Sequence, residues 1–505
     1  MNLLVIALYL TAVLALGWLC RRGSHTADGH FLAGRAMGTL PIGISIMVTS
    51  FSAINYIAIP EEIGAHGLYV VASFPVFFLA AYPIARWWMP FFHRLNCTTA
   101  YQFLEQRYDR RVRTLAALLF LLWRLVWMAV ALFISGKMLA AITHQNPLLM
   151  TAVCGLVATL YSTVGGMRAI MWTDVLQAAV IALGFLILIP LLASSLPLPL
   201  LDTLRDSGRL RPLLPPDPQF LSPDPTIRIT LWSALLGTLT AFMARYGADQ
   251  VVMQRYFAAK SLRDAQRGIW LNAAISVLTL TLLAVLALLL HAWAINQQAI
   301  APNAPTPKGF ALQQLARLLA QLPPGLPGLI AAGILAATMS SIDSGINACA
   351  ATIATDLQRH AARPPRAQLI TLSIGLLVTL VACLAIPPLH QHNSIFAIIN
   401  KLVNGLGSPL LAIILLARFS SPRLLRHLSP RPSPRPPLLR RRQSRRHPPR
   451  LPRRLRLYPL PETPLRRISR KKSQLMRLNW QNSPGGTKFF CPFCGQHVSL
   501  PPQTD

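Results

Sequence analysis

The sequence predicts an all-α polytopic membrane protein with about eleven transmembrane helices. Hydrophobic residues make up 53% of the 505 residues, and charged residues make up only 13%. Long apolar runs recur from the first residue to about residue 419, and a water-soluble domain could not cover that much apolar surface. The runs are about 20 residues long and do not alternate between polar and apolar positions, which favours helices over strands.

The apolar runs place the predicted spans in order along the chain. Their approximate bounds are 3–20, 40–60, 67–89, 114–142, 148–164, 172–196, 230–250, 268–293, 326–355, 368–388 and 394–418. The first run, Met1–Cys20, has no positively charged start and no small-residue cleavage site, and Arg21 and Arg22 follow it. These features predict a retained first helix and not a signal peptide.

The distribution of Lys and Arg predicts the orientation of these spans. Most of them lie in segments that share one side of the membrane if the spans alternate: 21–36, 86–113, 165–168, 251–267, 356–366 and the chain from 419 onward. The positive-inside rule makes that side cytoplasmic. We therefore expect a multi-pass protein of the cell membrane with its N-terminus outside and its C-terminal tail in the cytoplasm.

The order of the spans predicts an inverted repeat. Without the first helix, ten spans remain, and they form two sets of five that start from opposite sides of the membrane. The first helix of each set should be broken. The stretch 41–60, PIGISIMVTSFSAINYIAIP, is polar at its centre and has Pro at both ends, and its partner 230–250 carries Gly237 and ARYGADQ. The two halves show no residue-level similarity, so the repeat depends on topology alone.

The stretch VTSFSAINY, residues 48–56, places polar side chains in the middle of a span. Thr49, Ser50, Ser52 and Asn55 fall within seven positions. An unwound helix here would free backbone carbonyls, which are suitable ligands for Na⁺. The alternative is that the hydroxyl groups bond back to their own helix.

A second polar stretch, TMSSIDSGIN at 338–347, interrupts an otherwise apolar span. On a helix, Ser340, Ser341 and Ser344 share one sector, and Asp343 lies at its edge. Hydroxyl, carbonyl and carboxylate oxygens are hard ligands, and few formal charges suit a monovalent cation that must also leave. Close packing of small residues is the alternative, but packing does not explain an ionisable Asp343 inside a span.

Two further ionisable residues fall inside predicted spans. In STVGGMRAIMWTDVLQ, residues 162–177, the Gly pair should end a helix, so that Asp174 lies about two residues into the next span. A cation ligand and an N-terminal cap are both open for Asp174. Arg124, in FLLWRLVWMAVALF, either extends to the cytoplasmic interface or pairs with a carboxylate on the substrate.

Four motifs carry a family resemblance that covers about residues 1–419. In chain order they are PIGISIMVTSFSAINYIAIP, GGMRAIMWTDVLQ, GADQVVMQRY and ATMSSIDSGIN. Their order and spacing resemble those of the sodium:solute symporter family, and the first motif is more similar to the branch that carries organic acids, iodide and vitamins than to the glucose branch. The resemblance implies a LeuT-type 5+5 fold with one extra N-terminal helix, and Na⁺-coupled alternating access.

The resemblance also implies roles for individual residues. The sodium-binding set is Val48, Phe51 and Ala337 through their carbonyls, and Ser340 and Ser341 through their side chains. The pattern of a second sodium site, present in some members, falls on Asp174, Ser341, Asp343 and Ser344. Position 343 is often a hydroxyl residue in the family, so an Asp there changes the charge of that site. The implied substrate contacts are Ser50, Ser52, Asn55, Phe74 and, by analogy with sialic-acid-type carriers, Arg124.

Residues 420–505 differ in composition from the rest of the chain. They carry 20 Lys and Arg against 2 acidic residues, a net charge of +18 out of the chain's +32. This Pro/Arg-rich tract predicts disorder. It is either a basic tail that meets anionic lipid or an aberrant coding end. Cys491, Cys494 and His497 have the spacing of half a zinc site, but three ligands without a second pair do not predict zinc binding. No folded module or stacking aromatic residues accompany the Arg runs, so nucleic acid is not an expected partner.

The predicted function is Na⁺-coupled symport of a small polar solute, such as an organic anion or a sugar acid. The expected partners are the solute, Na⁺ as the coupling ion and the lipid bilayer, without another cofactor; the sequence gives no oligomeric state. No paired carboxylates, metal triad or nucleophile–base pair indicates an enzyme. The alternatives are a symporter-like membrane sensor, for which no signalling module is visible, and a truncated, non-functional transporter.

Overall fold

The computed structural model describes residues 1–23, 26–196, 200–212, 218–224, 226–227, 230–302, 304, 306–307, 309–358, 364–386, 407–420, 488–490 and 497–499. The chain divides into two units, Met1–Arg431 and Pro432–Asp505. In the second unit, strands β1 (Lys488–Phe490) and β2 (His497–Ser499) pair antiparallel, which the sequence analysis did not expect. Cys491, Cys494 and most of the tract predicted to be disordered lie outside the described residues.

The first unit is built from helices. Those before residue 200 are α1 (Asn2–Leu19), α2 (Ala27–Leu32), α3 (Thr39–Ser50), α4 (Asn55–His66), α5 (Val76–Pro83), α6 (Met89–Leu95), α7 (Gln102–Arg107), α8 (Arg110–Thr143) and α9 (Pro147–Ser194). Those after it are α10 (Leu200–Asp206), α11 (Leu231–Ala248), α12 (Gln250–Phe257), α13 (Leu262–Asn296), α14 (Phe310–Ala320), α15 (Leu326–Thr352), α16 (Pro364–Leu384) and α17 (Ser408–Phe419).

The lengths of these helices agree with a multi-pass membrane protein. Within the described ranges, seven helical segments are long and apolar enough to cross a bilayer, and the bent pair α3 and α4 makes up to eight. Helix α9 has 48 residues, about 72 Å at 1.5 Å per residue, which is more than twice the thickness of a hydrocarbon core. It therefore accounts for two of the predicted spans. The predicted total of eleven stays a prediction, because residues 387–406 lie outside the described part.

The two predicted spans within α9 meet at a kink and not at a loop. Gly166 has φ 59° and ψ −158°, a conformation that favours glycine, and a Cβ atom there would lie 2.7 Å from the carbonyl oxygen of His30. The helix resumes directly after Gly166. Asp174 therefore lies about two turns inside a helix and is fully buried, so its interpretation as an N-terminal cap is wrong.

Helix α15 lies at the centre of the first unit, where α1, α8 and α9 pack around it. In the most apolar 18-residue stretch of this helical segment, 94% of the residues are buried inside the protein. Every residue from Thr338 to Asn347 is buried. Large apolar side chains are instead exposed on outer helices, as on Leu8, Leu122 and Leu186, where lipid would cover them. The polar stretch of α15 consequently faces other helices and not lipid.

Both helices that were predicted to be broken are interrupted. Helix α3 ends at Ser50, Phe51 is extended (φ −102°, ψ 106°), and α4 begins at Asn55 with its axis bent by 60°. Helix α11 ends at Ala248, and Asp249 is extended (φ −75°, ψ 115°) before α12 begins. The Asp249 carboxylate accepts a hydrogen bond of 2.9 Å from the Val251 N–H and so caps α12. The second break thus falls in ARYGADQ and not at Gly237.

Candidate functional site

The break after α3 lies directly against the hydroxyl groups of α15. The Ser340 hydroxyl donates to the carbonyl oxygens of Val48, at 3.1 Å, and Ala337, at 3.0 Å. The Ser341 hydroxyl donates to the carbonyl of Thr49, at 3.0 Å, and more weakly to that of Ala337, at 3.4 Å. Carbonyls near the end of α3 are free to accept from another helix because their own helix stops at Ser50.

These contacts bring together four of the five residues that the family resemblance implied for sodium. Val48, Ala337, Ser340 and Ser341 converge, and all are buried. The carbonyl of Phe51 is not an acceptor for either serine hydroxyl; the carbonyl of Thr49 accepts instead. The result is a compact set of neutral hard oxygens, which matches the ligand preference of a monovalent hard cation.

A second polar cluster lies beside the first, and a guanidinium is at its centre. Arg255, on α12, is fully buried. Its Nη2 donates to Thr49 Oγ1 at 2.5 Å and to the Ser344 hydroxyl, and lies 3.4 Å from Asp174 Oδ2. Its Nε donates to Ser45 Oγ at 2.7 Å. This network satisfies a buried charge with a carboxylate and several hydroxyl groups, as burial requires.

The two carboxylates of the tentative second sodium site have separate partners. Asp174 Oδ2 accepts from the Ser45 hydroxyl at 2.5 Å and from Arg255, whereas Asp174 Oδ1 has no hydrogen-bond partner among the described residues. Asp343 accepts from the Tyr161 hydroxyl and, at 2.9 Å, from the Ser344 hydroxyl. Arg255 therefore engages Asp174 and Ser344, two of the four residues that the second ion would need, and sequence reasoning missed it.

A cavity of about 310 Å³ adjoins the break, and among the described residues none of α15 lines it. Four of the five implied substrate contacts line it: Ser50, Ser52, Asn55 and Phe74. The hydroxyl of Ser50 is buried and has no hydrogen-bond partner among the described residues, so it does not bond back to its own helix. Further lining comes from α8, α11 and α13 through Trp127, Phe242, Arg245, Ser276 and Thr279.

Arg124, the fifth implied substrate contact, does not line this cavity. Its side chain is only 3% exposed, so the expected extension to the cytoplasmic interface is wrong. Its Nη1 instead lies 3.8 Å from Asp249 Oδ2, and its guanidinium lies 5.2 Å and 4.9 Å from the ring centroids of Trp123 and Trp127. Its carboxylate partner is therefore on the protein. The guanidinium in the cavity belongs to Arg245, whose sequence signal is its position four residues before the break at Asp249.

The described residues hold no group of three or more His, Cys, Asp and Glu that could bind a metal ion. The oxygen set at Ser340 and Ser341 is neutral, and it differs in that respect from the carboxylate-rich sites of divalent cations. The arrangement as a whole combines a buried set of neutral hard oxygens, a broken helix and a cavity beside that break. Such a combination is typical of ion-coupled transporters with discontinuous helices.

Comparisons with known proteins agree with this geometry. The sequence profile described as "Sodium:solute symporter family" matches residues 30–423. The sodium/sialic acid symporter NanT of Aliivibrio fischeri is 25% identical over 83% of this chain and 83% of its own length. The sodium-dependent multivitamin transporter of Oryctolagus cuniculus is 30% identical over 82% of this chain and 66% of its own length.

The fold is also similar to that of a solved transporter. The structure of a Na⁺-coupled sialic acid symporter, in a substrate-bound outward-open state, superposes with a TM-score of 0.71. The superposition covers 83% of this chain and 87% of the symporter chain, and the two sequences are 23% identical. This structural match establishes the LeuT-type fold. Because the family profile matches well over half of the chain, this protein belongs to the sodium:solute symporter family.

Proposed function

We propose that the protein uses the influx of Na⁺ to drive the uptake of a small organic anion across the cell membrane. One observation carries the proposal: the hydroxyls of Ser340 and Ser341 bond to carbonyls at the end of a broken helix whose next residues line a cavity. Similarity to carriers named for sialic acid and for monocarboxylates supports an organic anion as the solute. No chemical conversion of the solute is part of the proposal.

The coupling follows from the position of the break between the two sites. Na⁺ would replace the hydrogen bonds between the serine hydroxyls and the carbonyls of Val48, Thr49 and Ala337. The carbonyls of Val48 and Thr49 belong to the same short stretch as Ser50 and Ser52, which line the cavity, whereas Ala337 lies on α15. Binding of Na⁺ orders this stretch and preforms the solute site, so each ligand raises the affinity for the other.

We propose that the oxygen set at Ser340 and Ser341 holds the only coupling ion, so that one Na⁺ moves in each cycle. Arg255 already supplies a positive charge to Asp174 and Ser344 in the second cluster. A second Na⁺ there would face the guanidinium at short range and would be repelled by it. A Hill coefficient of about 2 for Na⁺, lowered by Asp174→Asn, would restore the second sodium site and contradict this stoichiometry.

The proposal includes the orientation of the chain in the membrane, and it sets a transporter against a membrane sensor and a non-functional product. The N-terminus is placed outside the cell, because the Lys- and Arg-rich connections then face the cytoplasm. In this orientation, the connection between α4 and α5, from which Val70 and Ser73 line the solute cavity, faces the outside. Neither a membrane sensor nor a non-functional product has an observation in its favour in the described residues.

The test is a thermal-shift measurement on the purified protein in Na⁺ and in K⁺ of equal concentration. We expect Na⁺ to stabilise the wild type more than K⁺ does, and Ser341→Ala to remove this difference because a ligand oxygen is lost. Ser162→Ala is the matched control, since the Ser162 hydroxyl is also buried but bonds only to Ala158 O of its own helix, at 2.6 Å. An unchanged Na⁺-specific shift in Ser341→Ala would refute the ion site.

A further inference from the structure

Arg245 gives the solute cavity its charge. Of the cavity-lining residues in the described part of the chain, Arg245 is the only charged one, and no acidic side chain lines this cavity. Among the described residues, its guanidinium has no carboxylate within 4.0 Å and no hydrogen bond. The ring centroid of Phe242 lies 6.0 Å away, and Asp249, which pairs with Arg124, lies near enough for its charge to act on Arg245. A guanidinium in the middle of a membrane protein is costly without an anionic or carbonyl partner.

The other arginines inside the bundle show the contrast. Arg124 pairs with Asp249 and stacks against two tryptophans, and Arg255 is held by the network around Asp174. Arg113 binds both Asp356 and Glu105. Of these four buried or half-buried guanidinium groups, Arg245 alone has no carboxylate within 4.0 Å and no hydrogen bond to a described residue. Its position therefore leaves its hydrogen-bond donors free for a ligand.

Arg245 is accessible from two cavities. A second cavity of about 210 Å³ adjoins the first, and the two share three lining residues, Trp127, Phe242 and Arg245. The second cavity also contains Asp249, which is already paired with Arg124. An anion held by Arg245 could thus be reached from either cavity, while the carboxylate of Asp249 would repel a second negative charge on the same ligand.

We propose that Arg245 binds the carboxylate of the solute and selects monocarboxylates, and that the carboxylate stays on Arg245 while the solute passes from one cavity to the other. The apolar body of such a solute would pack against the aromatic rings of Phe51, Phe74, Phe77, Trp127 and Phe242. The proposal rests on the proposed transport function, and it names the residue that determines the solute class.

The test compares matched pairs of acids and amides as ligands of the purified protein in Na⁺. The pairs are phenylacetate and phenylacetamide, benzoate and benzamide, and lactate and lactamide, with succinate as the dianion. We expect the wild type to bind at least one acid in preference to its amide and to reject succinate. Arg245→Gln should weaken binding of that acid at least about 30-fold and leave the amide unaffected.

Two further variants and one internal measurement complete the design. Arg245→Lys should retain part of the preference for the acid, whereas Arg267→Gln, which removes one exposed positive charge elsewhere, should behave as the wild type. The Na⁺-specific thermal shift of each variant reports folding and the ion site independently. The Arg245 assignment is overturned if the Na⁺-specific shift persists and Arg245→Gln still prefers the acid to its amide. It is also overturned if the shift persists and the wild type prefers no acid. If the wild type itself lacks the Na⁺-specific shift, the transport proposal fails.

Discussion

At the scale of single residues, most arginines inside the bundle are paired with carboxylates, and Arg245 is the exception among the four compared above. The clearest pair is Arg255 with Asp174, both fully buried and supported by the hydroxyls of Ser45 and Thr49. Breaking one side of a buried ion pair leaves an uncompensated charge, which costs far more than the pair itself contributes. The network is therefore a structural requirement as well as a candidate site.

We predict that Arg255→Gln lowers the free energy of unfolding by about 3–5 kcal/mol, because the Asp174 carboxylate is left buried without its counter-charge. Asp174→Asn in the same chain should recover a large part of that loss, since it removes the unpaired charge. Thermal unfolding of the two single variants and the double variant gives the coupling energy of the pair. Strictly additive losses would show that the two groups do not interact.

His30 provides a pH dependence that arises outside the predicted spans. It lies on α2, its Nε2 is 3.0 Å from the Thr371 hydroxyl, and burial lowers its pKa from 6.5 to about 4. Between these values the unfolded chain binds a proton that the folded protein does not, so stability is complete above about pH 6.5 and falls as the pH approaches 4.

The stability of the wild type should therefore decline by up to roughly 3 kcal/mol between pH 6.5 and 4 from this group alone. His30→Gln keeps a polar side chain of similar reach but cannot be protonated. We expect its unfolding temperature to change less over the same interval, measured by scanning calorimetry in detergent. An identical pH dependence in both proteins would exclude His30 as its source.

At the scale of elements, interruptions of helices create the functional geometry. The break after Ser50 exposes carbonyls to α15. The break at Asp249 places Arg245 and Arg255 on either side of it, and the kink at Gly166 divides α9 into two parts. Two of the interruptions have a local cause. The Asp249 carboxylate caps the helix that begins after the second break, and Gly166, at positive φ, forms the kink in α9.

Gly166→Ala should destabilise the protein by at least about 1–2 kcal/mol, because an L-residue is strained at its positive φ. The new methyl group would also meet the carbonyl of His30 at 2.7 Å. Gly184→Ala, in the same helix, is the control, since nothing lies within 4 Å of a Cβ atom there. It should be neutral or slightly stabilising in thermal unfolding. Equal effects of the two substitutions would mean that the kink at Gly166 carries no strain.

At the scale of the whole molecule, the sequence predicted the fold, and which residues surround the candidate ion site, better than it predicted the pairing of distant charges. Apolar runs indicated the spans, because hydropathy is local in sequence. The family resemblance implied the oxygen set, although Val48 and Ser340 are 292 positions apart. Arg255 lies 81 positions from Asp174, and only tertiary packing joins them.

Arg124 was misplaced because the position of a residue along a helix does not tell which neighbouring helix its side chain faces. Asp249 proved to be its partner. The kink at Gly166 was expected as a loop, since hydropathy does not resolve how short a connection can be.

The central claim is that Ser340 and Ser341 hold the single Na⁺ that drives transport. Equilibrium binding of radioactive ²²Na⁺ to the purified protein measures this most directly, with competition by unlabelled Na⁺ or K⁺. We expect one Na⁺ to bind per chain and K⁺ not to displace it. Ser341→Ala should lower the affinity for Na⁺ at least about tenfold, and Ser162→Ala should leave it unchanged. Undiminished binding to Ser341→Ala, or equal displacement by K⁺, would contradict it.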